Sequence, residues 1–203
     1  MSGITSYVHI DAHGAYLNGE NFCVFNPESE HHWFKQIYTN LGLSYSKFHK
    51  MDALAQAGFL AVELLKRSCA NALVNYQDDE IALFFGNCAS SLDTDLKFEN
   101  SYLDQGAPSP ALFVYTLPNI VLGEIAIANK WYGENMFVVL PAFASDTFVQ
   151  YTQILLDNGS KAVIGGWLEV VGDVVDVFVF LVEEKGILWD EETLNDYRLK
   201  NTN

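Results

Sequence analysis

The sequence predicts an α/β fold in which a mixed sheet is covered by helices. Three observations lead there. Segments of helical period alternate along the chain with apolar runs of strand length. The run Ile81-Ala-Leu-Phe-Phe85 is apolar throughout and stops at Gly86-Asn87, the pattern of a strand buried on both faces. Residues 161–171 and 174–183 are two long apolar runs about Gly172-Asp173, the pattern of a closing hairpin.

The elements follow in order. Residues 7–11 read as a short strand, and 12–34, rich in Gly, Asn, Pro and His, as an irregular segment. Residues 41–48 are a connector. A long helix is predicted over about 50–74, where Leu54, Ala57, Gly58, Ala61, Leu64 and Leu65 fall near one stripe. Its Ala and Gly positions imply close packing against a helix or a sheet. After the strand at 81–85, residues 87–112 read as loop. A second helix is expected over about 118–130, with Pro118 in its first turn, where a missing N–H costs nothing. Tyr132-Gly133-Glu134-Asn135 is a turn, 136–140 a buried strand, and 142–158 a helix stopped by Gly159. The charged tail 190–203 reads as a short helix with frayed ends. There are no repeats or linkers, so 1–203 reads as a single domain, which 203 residues suit.

Composition narrows the function. Half the residues are hydrophobic, enough to offset chain entropy. The formal charge is −15, with 11 basic residues and no basic run longer than Lys66-Arg67, so nucleic acid and anionic membrane surfaces are excluded as partners. Cys23, Cys69 and Cys88 are odd in number and far apart, which is neither a disulfide framework nor a zinc knuckle. No signal peptide is expected at MSGITSYVHIDAHG and no membrane-spanning run occurs, so a cytoplasmic location is predicted.

The stretch from Ser109-Pro-Ala-Leu-Phe113 through Leu117-Pro-Asn119 to Ile125-Ala-Ile127 resembles the β-ketoacyl synthases. That family carries S-P-x-x-F, then L-P-N, then I-A before a G-P-N turn, which here is Gly133-Glu134-Asn135. Met51-Asp52 is similar to the start of its M-D-R-F helix, and 81–86 with Ser90-Ser91 to its strand and Gly/Ser-rich loop. The likeness covers most of 45–170 and is weak before residue 35. It implies a thiolase-like half-domain, similar to the N-terminal half of a ketosynthase.

In the family the nucleophile is a cysteine on a sharp strand-to-helix turn, nine residues beyond the first glycine of G-P-N and seventeen before the glycine ending the next helix. From Gly133 and from Gly159 both spacings arrive at Ala142. A slip of one residue would place Phe143 there, which is equally inert. The catalytic histidine pair comes from the second half in the family. His9, His13, His31, His32 and His49 all precede the turn and match neither. The resemblance therefore implies no catalysis, no cofactor and no metal. It points to a subunit similar to a chain-length factor, pairing with an active ketosynthase in fatty-acid or polyketide-type assembly, with aryl polyene pigments as one candidate product class. A homodimer is the alternative state, and acyl carrier protein a further candidate partner. Tunnel or gate positions would be Phe113, Tyr115, Leu117, Asn119, Asn135 and Phe143. The alternative function is a ligand-binding protein, or a hydrolase on Ser145 or a carboxylate, reusing the cleft as a homodimer. Asp78-Asp79-Glu80 reads as a solvated turn, His31-His32 as a loop without a metal, and Asp93, Asp95 and Glu99 as an acidic loop. Cys88 reads as a buried, inert thiol.

Overall fold

The computed structural model describes residues 2–200, apart from the side chains at 70–72, 104, 105 and 188. One sheet organises them, with strands β1 (Gly3–Ile10), β2 (Gly14–Leu17), β3 (Glu20–Val24), β4 (Ile81–Asn87), β5 (Asn135–Val139), β6 (Ala162–Val171) and β7 (Val174–Glu183). Their spatial order is β3-β2-β1-β7-β6-β4-β5, and a short β8 (Ile187–Leu188) also pairs with β1. β4 runs parallel to both β5 and β6, while the remaining pairs are antiparallel. The sheet is mixed, as the sequence predicts.

The helices are α1 (Trp33–Asn40), α2 (Ala53–Leu73), α3 (Leu92–Gln105), α4 (Pro110–Val114), α5 (Ile120–Asn129), α6 (Ser145–Asp157) and α7 (Glu191–Leu199). Strand alternation divides the apolar side chains between two cores. Leu83, Phe85, Ile164, Leu168, Val177 and Val179 face α2 and α5. Ala82, Phe84, Val163, Trp167, Phe178 and Phe180 face α6 and α7. A strand buried on both faces must be apolar at every position, which is why 81–85 shows no alternation.

Two glycines make this packing possible. A Cβ at Gly58 on α2 would stand 2.5 Å from Val121 on α5. One at Gly165 on β6 would stand 2.6 Å from the ring of Phe180, its cross-strand partner. The hairpin β6–β7 turns at Gly172, with φ of 57°, where the sequence places it.

Several expectations are corrected. Residues 12–34 are not irregular throughout: β2 and β3 form a hairpin about Asn18-Gly19, both with positive φ, which an Asn-Gly pair tolerates. Residues 87–112 contain α3 and α4. α3 carries Asp93 and Asp95 in its first turn and ends on Gly106 in the left-handed region. The proline in a first helical turn is Pro110, at the start of α4, where the Ser109 side chain accepts from the Leu112 N–H. α5 starts two residues after Pro118. β5 is a half-exposed edge strand, not a buried one, because among the described residues only β4 flanks it. α6 begins at Ser145, so Ala142 precedes the helix. α7 matches the short helix expected in the tail; the frayed ends expected beyond it include 201–203, which lie outside the described residues.

Candidate functional site: the turn between β5 and α6

β5 leaves the sheet beside the end of β4. The Leu140 N–H donates to the Asn87 carbonyl at 2.9 Å, which fixes where the turn departs. Ala142 follows two residues later and is exposed. Its methyl group has no lone pair and no acidic proton, so nothing at this position can attack a thioester. Phe143 turns inward. Its ring stacks on Phe148 at 5.1 Å and meets Phe178 and Trp167 edge-on.

α7 closes over this turn. The Arg198 guanidinium lies over the rings of Phe143 and Phe178, 5.5 and 5.8 Å from their centroids, and pairs with Asp176. The Asn195 amide donates to Ser145 Oγ at 2.9 Å. His9 Nε2–H donates to the Tyr197 carbonyl at 2.9 Å. Burial, chiefly, pushes His9 down to about 4, so near neutral pH it is an uncharged imidazole. Ser145 thus has its hydroxyl engaged by an amide, and the buried His9 is turned to a backbone carbonyl. Among the described residues, the hydrogen-bond partner of Ser145 Oγ is the Asn195 amide and not a histidine.

The other candidates fall elsewhere. Tyr115 is buried and donates its hydroxyl to Glu124 Oε1 at 3.0 Å. Burial first, and then the carboxylate, hold its pKa well above the ordinary phenol value. Glu124 is itself buried and pairs with Lys47 at 2.8 Å. Phe113 and Leu117 are exposed, and Phe113 rests against Phe98. Asn119 caps α5 with no side-chain hydrogen bond to the helix and shares a cleft of ≈ 610 Å³ with Asn135, Pro118, Met136 and Val139. The structure therefore brings Asn119 and Asn135 together beside β5. It places Phe143 in the aromatic cluster under α7, ties Tyr115 into a buried polar pair, and leaves Phe113 and Leu117 facing solvent. These positions do not line one tunnel within a single chain.

The acidic and histidine segments have local roles. The His32 ring nitrogen Nδ1 accepts from the Phe34 N–H at the start of α1. Asp93 pairs with Lys97, and Asp95 accepts from Ser91. Among the described residues no three His, Cys, Asp or Glu side chains are grouped to hold a metal ion. Cys88 is exposed, which corrects the expectation of a buried thiol. It follows Asn87 at the end of β4, so the sheet brings it beside the turn that carries Ala142, far away in sequence. Its N–H donates to Glu169 Oε2 at 2.6 Å. Sequence reasoning also missed Arg198, Asn195 and Lys47, whose partners lie on remote elements and leave no local pattern.

No family model and no curated protein sequence matches the chain. Solved structures do match. A chain of the ketosynthase (ApeO) in complex with its chain length factor (ApeC) from Xenorhabdus doucetiae superposes with a TM-score of 0.59 at 14% identity, covering 91% of this chain and 79% of that one. The ishigamide ketosynthase/chain length factor gives 0.63 at 13% identity, with 91% and 62% covered. A type II polyketide synthase acyl-carrier protein in complex with its ketosynthase bound to the hexaketide gives 0.61 at 11%, with 90% and 63% covered. This chain thus spans about three fifths of the last two. The α/β fold with its mixed sheet matches ketosynthase half-domains and is thiolase-like. No helix among the described residues is long and apolar enough to cross a membrane.

Proposed function

We propose that this chain is a non-catalytic ketosynthase-like subunit, similar to a chain-length factor, that pairs with an active β-ketoacyl synthase in fatty-acid or polyketide-type assembly. The observation that carries the reading is the turn between β5 and α6. It keeps the strand-turn-helix form in which such enzymes present a nucleophile, yet offers exposed Ala142 and inward-turned Phe143. The likeness to complexes of a ketosynthase with its chain length factor supports the partnership. So does the free edge of β5, which leaves a sheet ready for continuation by another chain.

In this reading the subunit acts by shape. Phe143, held between Phe148 and Arg198, fixes the turn, and the cleft at Asn119 and Asn135 faces the partner. Phe113 and Leu117 are exposed in the single chain and would be covered, or would wall an acyl tunnel, only in the pair. Acyl carrier protein would reach the assembly through the partner, because this chain is itself acidic. The test is co-expression with the ketosynthase encoded nearest to it, read by size-exclusion chromatography with light scattering. A stable one-to-one heterodimer is expected. A homodimer that ignores the ketosynthase would sink the reading and favour a ligand-binding role instead.

A further inference from the structure

At the edge of the sheet remote from β5, the chain leaving β3 folds over the start of α1 and frames a cavity of ≈ 540 Å³. Its lining comes from residues 12 and 13, from Val24 and the loop that follows it, and from α1, with nothing from β5 or α6. The loop is tied in place. The Gln36 side chain accepts from the Asn26 N–H at 2.9 Å and donates to the carbonyls of Asn26 and His31 at 3.2 and 2.9 Å. The Phe25 N–H donates to the His13 carbonyl at 2.9 Å, which joins the loop to the turn between β1 and β2. A cavity held in shape by such bonds loses little conformational freedom when a ligand enters.

The walls are rings. Phe25 and Trp33 stand at 90° to each other with centroids 5.7 Å apart, and the His32 imidazole lies 5.4 Å from Trp33 at 56°. Near neutral pH His32 is uncharged. Its Nδ1 accepts from the Phe34 N–H, and burial, with Lys97, lowers its pKa from the ordinary value against the pull of Asp173. Glu30 supplies a carboxylate, and among the described residues no lysine or arginine lines the cavity. The whole chain adds a formal charge of −15. An anion is poorly served here. The start of α1 carries a partial positive charge, but its Phe34 N–H is taken by His32 Nδ1 and its Lys35 and Gln36 N–H groups by the His32 carbonyl.

We infer that this cavity binds a small organic cation, with an alkylated ammonium group against the Phe25, His32 and Trp33 rings and Glu30 as its counter-charge. The face of an aromatic ring is electron-rich and attracts a cation, most strongly at tryptophan. An uncharged guest of the same shape gains the apolar burial but neither the ring attraction nor the carboxylate. The site is independent of the pairing role proposed above, and either can fail without the other.

The test is titration of the full chain with choline at constant ionic strength, read by calorimetry and by two-dimensional amide NMR. The control is dimethylbutanol, in which a tert-butyl group replaces the trimethylammonium. Choline should saturate with a Kd below about 5 mM, and the shifted amides should centre on residues 12–13 and 24–36. The uncharged control should bind at least about tenfold more weakly. Glu30→Gln, at an exposed loop position, should weaken choline about threefold or more and leave amides outside the loop unmoved. Trp33→Leu and Phe25→Leu keep apolar bulk and remove one ring each, and whichever of them retains the wild-type circular dichroism should bind at least about tenfold more weakly. No saturation by about 50 mM choline, shifts centred elsewhere, an equally tight uncharged control, or unchanged affinity in Glu30→Gln or in a folded ring variant would each overturn the inference.

Discussion

Single residues decide how closely this sheet can be packed. Gly165→Ala places a methyl group within 2.6 Å of the Phe180 ring in a fully buried layer. It should cost roughly 1–3 kcal/mol, measured as a lower urea midpoint at unchanged slope. His9 gives a pH signature. Its folded-state pKa is depressed, to about 4 from an ordinary 6.5, by burial against Tyr7 and Phe178. Between these values the unfolded chain binds the extra proton, so His9's contribution to stability is complete above pH 6.5 and is lost as pH falls through 4. The change is on the order of 3 kcal/mol. Tyr197, Arg198, Asp176 and Asp11 are the groups that act on it. A His9→Gln variant should show a shallower fall in melting temperature over that window. The thiols should also separate. Burial pushes Cys69 up to about 11, and Cys23 is buried, so iodoacetamide at about pH 8 should alkylate exposed Cys88 at least about tenfold faster, read by peptide mass spectrometry.

At the scale of elements, α7 is the test case. It is held by Arg198 on two rings and on Asp176, by Asn195 on Ser145, and by Tyr197 on His9, with Leu194 fully buried. Arg198→Ala should cost roughly 1–2 kcal/mol and release α7 selectively, so that amide exchange speeds up in Glu191–Leu199 while β4 and β6 stay protected. Legibility in the sequence also differs by element. β4, α2 and the β6–β7 hairpin could be read because their patterns are local: a continuous apolar run, one helical stripe and a Gly-Asp turn. α3 could not, because its apolar residues Leu92, Leu96 and Leu103 face solvent and give no buried stripe. β2 and β3 are too short to show a period, although the Asn18-Gly19 pair was a usable signal. Ala142 was legible only by counting from two glycines. The setting of Phe143 was not, since Arg198 and Asp176 meet it from other parts of the chain.

For the whole molecule, order of protection should follow sheet position. Amide exchange should be slowest in β4, β6 and β7, which are paired on both sides, and fastest among the strands in β3 and β5, which each have one free edge. Equal protection across the sheet in the isolated chain would mean that the edges are already covered. The pairing of β1 carries one more consequence. Gly3 is partnered by Glu183 on β7 and by Leu188 on β8, so β1 has its place beside elements synthesised some 180 residues after it. The β2–β3 hairpin can close as soon as it leaves the ribosome, but β1 must wait for some 180 residues before its second neighbour exists. During that interval its apolar side chains are a natural hold for chaperones, and assembly with any partner at β5 can begin before the opposite end of the sheet is finished.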